Sequence, residues 1–322
     1  MAEWARLADG SPLYSHLGAF IAETPEMLRI LNRVEGQPRA NVLLAAVHYL
    51  LMIDPEHELS RFYGSLVDDP SPPSESDGPF IDFVLTHEDE IVGLGSTRFT
   101  QTNECRRCVA LLPAIWEVPL DRFHLVDLGA SAGLNLAIDR YGYRWDHVEW
   151  QLSGPLILET ELRGRVPLPR PVEVLSRTGL DLHPVDVDDH DDRRWLEALI
   201  WPEHRERRER LQGALAVASR LELEFVSGSA LQTLLPVLDG LPPGEAVVLM
   251  NSFTLNQFTG EQRSELESLI EEARRRRPVA RVSFEYTRGD DWPRLTIDDG
   301  SGTRQIGQGH PHGEWVELYA LP

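Results

Sequence analysis

Residues 122–136 constrain the fold more than any other stretch of this chain. They read RFHLVDLGASAGLNL, a short apolar run that ends in an acid and breaks at two glycines four apart. An apolar run of this length bounded by glycine predicts a buried strand. Gly129 permits a sharp turn that costs other residues energy, and Gly133 permits close approach of backbone to backbone or ligand. A helix is expected to follow, to about residue 140. Its first N–H groups would then be donors for a polar ligand.

The rest of the chain sorts around that unit. Apolar residues fall at helical spacing over 13–21, 25–34, 39–53 and 56–67. Pro25 suits a first helical turn behind Thr24. The stretch DDPSPPSESDGP (68–79) is a loop by composition, with helices expected near 80–93 and 103–116. After residue 122 strand and helix alternate. Strands are expected at 156–162, 221–226, 246–250 and 279–286, with helices at 230–238 and 260–276. Alternation predicts a parallel sheet covered on both faces. Three further strands, 294–297, 303–306 and 314–321, have only turns between them and should pair antiparallel. The reading is therefore an α/β protein: an N-terminal helical domain (1–116), then an α/β domain (117–322). That domain carries a helical insertion at 163–220, entered through VPLPRPVEV and including a long helix near 195–220 interrupted at Pro202.

Composition excludes several functions. The net charge is −21, which opposes phosphate backbones and anionic membrane surfaces, so neither nucleic acid nor membrane is an expected partner. The basic residues are all Arg, so Lys chemistry is unavailable. The two cysteines, Cys105 and Cys108, are too few for a four-cysteine zinc site or a disulfide framework. The longest apolar segment, 42–53, is too short to span a bilayer, and the N-terminus lacks a signal-peptide pattern. A reducing cytoplasm is the expected compartment. The Asp- and His-rich segment DLHPVDVDDHDD (181–192) has no recognised ligand spacing, so no metal is expected. No nucleophile elbow or Walker loop is present.

The spacing D-x-G-x-x-x-G is not the dinucleotide fingerprint, because Ser131 stands where that pattern needs glycine. It resembles motif I of the class I S-adenosylmethionine (SAM)-dependent methyltransferases. That resemblance implies a Rossmann-like sheet with SAM held by Asp127, Gly129, Ser131, Gly133 and Asn135. It also implies an acid at the end of the second strand for the ribose hydroxyls, for which Glu161 is the candidate and Glu159 the second. At the next strand end, FVSGSAL (225–231) offers Ser229 for the adenine amino group, where the methyltransferases often place Asp.

Four segments carry a wider likeness: TNECRRC (102–108), HLVDLGASAGLNL (124–136), RRWLEALIWP (193–202) and GHPHGEWVEL (309–318). With these the chain resembles a bacterial family of unknown function, common in actinobacteria, with a methyltransferase-like core. In TNECRRC, Asn103, Glu104 and Arg107 would share a helical face near the crevice, where a Glu104–Arg107 pair could orient the glycine turn or a substrate. Asn251 and Ser252 would contact substrate at the end of a later strand. His310 and His312, ahead of the last strand, are candidate general bases. The expected function is methyl transfer from SAM to a small molecule. Alternatives are a non-catalytic SAM- or nucleotide-binding protein and a nicotinamide-dependent oxidoreductase.

Overall fold

A computed structural model describes residues 10–165, 168–287 and 289–319. Helices α1 (Pro12–Glu23), α2 (Pro25–Arg33), α3 (Arg39–Ile53), α4 (Asp77–Thr86) and α5 (Glu88–Thr97) come first. Helix α6 (Cys108–Trp116) leads into strand β1 (Arg122–Leu128). Strands β2 (Gly142–Trp145), β3 (Val148–Trp150), β4 (Ile157–Gly164) and β5 (Glu173–Asp181) follow. Helices α7 (His190–Ala198) and α8 (Arg205–Ala218) precede β6 (Glu224–Ser227), α9 (Ala230–Gly240), β7 (Val247–Ser252) and α10 (Gly260–Arg274). Strands β8 (Val279–Glu285), β9 (Arg294–Asp298), β10 (Thr303–Gly309) and β11 (Trp315–Leu318) close the chain.

These elements form two compact units. One comprises residues 1–102 and 188–211, the other 103–187 and 212–322. The first is helical, and its core joins Leu13, Leu17 and Ile21 of α1 to Val42–Leu51 of α3, Phe80 and Phe83 of α4, and Trp195 and Ala198 of α7. Helix α3 is nearly apolar throughout and buries Ala40, Val42–Tyr49 and Leu51. Its one imidazole, His48, meets the Ala198 carbonyl through Nδ1 (3.1 Å) and the Ser65 hydroxyl through Nε2 (2.7 Å). Burial drives its pKa down to about 4, so the ring is neutral. The helix anticipated at 56–67 shortens to a 3-10 turn, Glu58–Phe62, and the one at 80–93 is two helices meeting at His87.

The second unit is built on one mixed sheet ordered β3-β2-β4-β11-β10-β9-β8-β7-β1-β5-β6. Strands β6, β5, β1, β7 and β8 run parallel. Strands β9, β10 and β11 then alternate in direction, as short turns between strands dictate. β11 thus runs opposite to β1, and its first residue lies at the edge where β1, β7 and β8 end. Val126 and Leu128 of β1, Val247 and Leu249 of β7 and Val279 of β8 pack with Leu234 and Leu238 of α9 and Leu266 and Ile270 of α10. Helix α6 packs against β8, β9 and β4.

Two expectations fail here. The stretch 163–220 is not a helical insertion, because β5 is the direct parallel neighbour of β1. Its sequence, EVLSRTGLD, hides the strand behind polar residues that the fold neutralises. Arg177 is buried, bonds the Leu136 carbonyl and pairs with Asp139 at 2.7 Å. Gly179 leaves room for Ala130 and Phe225, which a Cβ there would meet at 2.7 and 2.8 Å. The second failure is the helix after the glycine turn. Only a 3-10 turn, Leu134–Ala137, forms. The Leu134, Leu136 and Ile138 carbonyls accept instead from the Tyr141 hydroxyl, the Arg177 guanidinium and the Tyr143 hydroxyl. Val166 and Pro167 of the Pro-rich stretch, the first nine residues and residues 320–322 at the end of the last expected strand lie outside the described residues.

Candidate functional site

Strand order reverses at β1: β5 and β6 lie on one side, β7 and β8 on the other. In open α/β sheets the crevice at such a switch point, outside the carboxyl ends of the strands, is where ligands bind. The glycine turn sits there. Gly129 and Gly133 have φ of 77° and 68°, and Ser131 is left-handed too at 50°. A Cβ on Gly129 would lie 2.2 Å from the Thr254 hydroxyl, and one on Gly133 would lie 2.8 Å from the Phe225 ring. Both glycines are therefore required by conformation and by space.

The turn does not present its amides to a ligand. Gly129 N–H and Ala130 N–H donate to the Leu180 carbonyl at 2.7 and 3.3 Å. Ser131 N–H donates to Asp181 Oδ2 at 2.8 Å, Ala132 N–H to Asn103 Oδ1 at 3.2 Å, and Gly133 N–H to the Ala130 carbonyl at 2.8 Å. Asn103 also donates to the Ser131 hydroxyl at 2.9 Å. A pyrophosphate cradle needs these N–H groups free.

Asp127, at the end of β1, is 2% exposed, and among the described residues its carboxylate accepts no hydrogen bond. Burial raises its pKa well above the usual carboxylate range; Asp181 and Glu285 push it the same way, and Arg107 opposes them. Glu285, at the end of β8, is raised by the same desolvation. Its Oε1 accepts from Asn251 Nδ2 (2.9 Å), Thr254 N–H (2.8 Å) and Leu255 N–H (3.1 Å). Its Oε2 is buried without a partner. Asp181 and Glu285 thus both act on Asp127, with the Arg107 guanidinium opposing them. Sequence reasoning missed Asp181 and Glu285. Asp181 carries a signal in hindsight, an acid closing a strand just as Asp127 does, but it opens the Asp-rich segment and reads there as one charge among many.

The expected site residues divide into those this edge gathers and those it does not. Asn251 is fully buried, holding Glu285 through Nδ2 and accepting from the Ser283 hydroxyl at 2.7 Å, so it positions rather than contacts. Ser252 accepts from Asn135 Nδ2 at 3.3 Å, and Asn135 accepts from the Cys108 thiol at 3.4 Å. Asn103, Glu104 and Arg107 are not on one helical face. They precede α6, and Glu104 caps a 3-10 turn, Cys105–Arg107, by accepting from Arg106 N–H. Both Glu104 and Arg107 are buried. Arg107 lies over the Phe253 ring at 4.0 Å and donates from Nε to the Pro311 carbonyl at 3.1 Å. That bond brings the His310–His312 turn to this edge. A Cβ on Gly313 would lie 2.6 Å from the Arg106 carbonyl, so the turn is docked closely. His310 accepts from His312 N–H through Nδ1 at 3.2 Å, and burial lowers its pKa. The neutral ring then carries its proton on Nε2. Ser229 caps α9 after β6, accepting from Leu231 N–H at 3.3 Å.

Glu161 and Glu159 do not hold the second-strand place. They lie on β4, which pairs with β11 and β2 and is not a neighbour of β1. Glu161 pairs with Arg163 at 2.9 Å and Glu159 with Arg144. The strand beside β1 is β5, and it ends in Asp181.

The chain belongs to a bacterial family described as "Uncharacterized protein conserved in bacteria (DUF2332)", which it matches over residues 1–318. The search of curated proteins found no match. Among the described residues, no helix is long and apolar enough to cross a membrane.

Proposed function

We propose that the carboxyl edge of this sheet binds S-adenosylmethionine and serves methyl transfer to a small molecule. Asp127 carries the reading: a buried carboxylate at the switch point that no donor of the described residues satisfies. Such a group is costly unless a counter-charge arrives. An ammonium or sulfonium supplies one. SAM has both, beside a single carboxylate. Asp127 with Asp181 and Glu285 acting on it suits that net positive ligand and opposes a pyrophosphate. The occupied amides of the turn weigh against a nicotinamide dinucleotide in the same way. The order of the five parallel strands, in which the sequence moves outward on one side of β1 and then outward on the other, also fits a methyltransferase-type core.

Asp127 would hold the amino group of the ligand, and Asp181 the ribose diol, whose two hydroxyls a carboxylate can receive together. Ser229, at the end of the outer strand, is the residue for the adenine amino group. Bound here, the cofactor supplies a methyl group on a sulfonium carbon. The protein's own work is to align the acceptor and exclude water. Asn251 and the Thr254 and Leu255 amides hold Glu285 still, and Asn135 does the same for Ser252.

A general-base role for His310 would require breaking its bond to the His312 amide. That observation favours the second reading, a protein that binds SAM without turnover. Calorimetry with SAM, S-adenosylhomocysteine and NAD separates these from the nicotinamide reading. SAM should bind at micromolar affinity and NAD should not, and Asp127→Asn should weaken SAM by about 30-fold or more, the value of one buried charged hydrogen bond. Tighter binding of NAD than of SAM, or an Asp127→Asn variant that binds SAM as the parent does, sinks the proposal.

A further inference from the structure

Asp181 is held at the end of β5 by two backbone amides. Its Oδ2 accepts from Ser131 N–H and its Oδ1 from His183 N–H, each at 2.8 Å. A carboxylate offers about four lone-pair sites, so one amide on each oxygen fixes its plane and leaves acceptor capacity on both. The side chain is half-buried, within reach of a ligand. One of its two anchors depends on Ser131. That residue is not glycine, yet its φ is 50°, a left-handed conformation that persists only where the surroundings enforce it. Val185 N–H donates to the Ser131 carbonyl at 3.1 Å. Asn103 grips the turn from the other side. Its Nδ2 donates to the Ser131 hydroxyl at 2.9 Å, and its Oδ1 accepts from Ala132 N–H at 3.2 Å. One planar amide thus spends its donor and its acceptor on consecutive residues. Asn103 lies on neither β1 nor β5. The segment ahead of α6 presents it, anchored by the buried Glu104, Cys105 and Arg107.

We infer that Asn103 is a positioning residue for ribose recognition: it holds Ser131 in the left-handed form from which the Ser131 amide orients the Asp181 carboxylate. The inference rests on the SAM reading above, in which Asp181 receives the ribose diol. Asn103 itself touches no ligand atom. Without its amide, Ser131 relaxes toward the conformations that L residues prefer, and its N–H turns away from Asp181. The carboxylate then keeps the His183 anchor and gains freedom to rotate. A diol needs two acceptor oxygens held at a set spacing, whereas a single hydroxyl needs only one. The loss therefore falls on the second hydroxyl bond and not on binding as a whole.

The test titrates the full chain with S-adenosylhomocysteine and with its 2′-deoxy analogue, followed by calorimetry. The parent should prefer the ribose form by about tenfold, the value of one hydrogen bond to a charged group. Asn103→Leu, which keeps the bulk and removes both bonds, should bring that ratio to about twofold while the deoxy analogue binds nearly as before. Ser131→Ala loses only the hydroxyl bond and should lower the ratio part of the way, so it carries the comparison if Asn103→Leu does not fold. A general loss of stability would weaken both ligands alike and leave the ratio intact. A parent-like ratio in the folded variants overturns the inference and leaves the SAM reading standing. If the parent binds neither probe, the SAM reading fails and ribose positioning fails with it. Amide exchange on the unliganded chain reads the structural step separately. Asn103→Leu should speed exchange about tenfold at Ser131 and Ala132, with β7 as in the parent, and unchanged exchange there overturns the role of Asn103 whatever binds.

Discussion

The two ends of strand β1 differ in how their buried polar groups are satisfied. Near its amino end, His124 is buried with both ring nitrogens engaged, Nδ1 with the Ser176 hydroxyl and Nε2 with Glu245, each at 2.7 Å. Three residues on, Asp127 is buried with no hydrogen bond among the described residues. Close to both, Arg177 and Asp139 form a buried pair that also bonds the chain's own carbonyl. At His124 and at Arg177 the fold supplies the partners that the buried groups need. A carboxylate left without them is what the proposed ligand would compensate.

The largest effect belongs to the satisfied pair. Arg177→Ala leaves Asp139 charged and enclosed, and should cost about 3–5 kcal/mol in urea unfolding. A loss below about 1 kcal/mol would erase the contrast with Asp127, because the pair would then count as no more than a surface contact. The next effect is at the turn. Gly129→Ala places a methyl group against the Thr254 hydroxyl in a left-handed conformation and should cost about 2 kcal/mol in the same measurement. An unchanged midpoint would mean the turn relaxes freely, which a rigid ligand site does not do.

The smallest effect is one of sign with pH. His48, in the helical unit, has its pKa lowered from 6.5 to about 4. The unfolded chain therefore binds more protons in that window, and the stability held above pH 6.5 is lost as pH falls toward 4. Asp127 is shifted upward from 3.8. Here the native state holds the extra proton, so its contribution is full below the unfolded value and is lost as pH rises through the raised one. Against the parent, Asp127→Asn should gain relative stability as pH rises, and His48→Gln should flatten the acid limb. Thermal melts from pH 4 to 8 read both, and parallel curves for parent and Asp127→Asn would show that Asp127 is not perturbed.

What could be read in advance follows how local each signal is. β1, the glycine turn and the antiparallel tail declare themselves in adjacent residues. Helix α3, Arg39–Ile53, appears at its full length because fifteen nearly uninterrupted apolar positions permit nothing else. β5 is invisible for the opposite reason: its Arg177 and Gly179 make sense only once Asp139, Ala130 and Phe225 are beside them. The place of Glu161 away from β1, and of Asp181 beside it, was hidden for the same reason. Glu161 lies within β4 and Asp181 closes β5, and only strand pairing says which strand lies next to β1.

The sequence alone determined the α/β class, the helical N-terminal region, the turn and the acid at its foot, since each depends on periodicity, glycine conformation or residue type within a few positions. Tertiary structure decided which carboxylates meet, which amides are spent inside the turn, and that Arg107 and the His310–His312 loop come to the same edge. Those facts depend on distances between residues far apart in the chain, and on solvent exclusion, which exists only after the chain has packed.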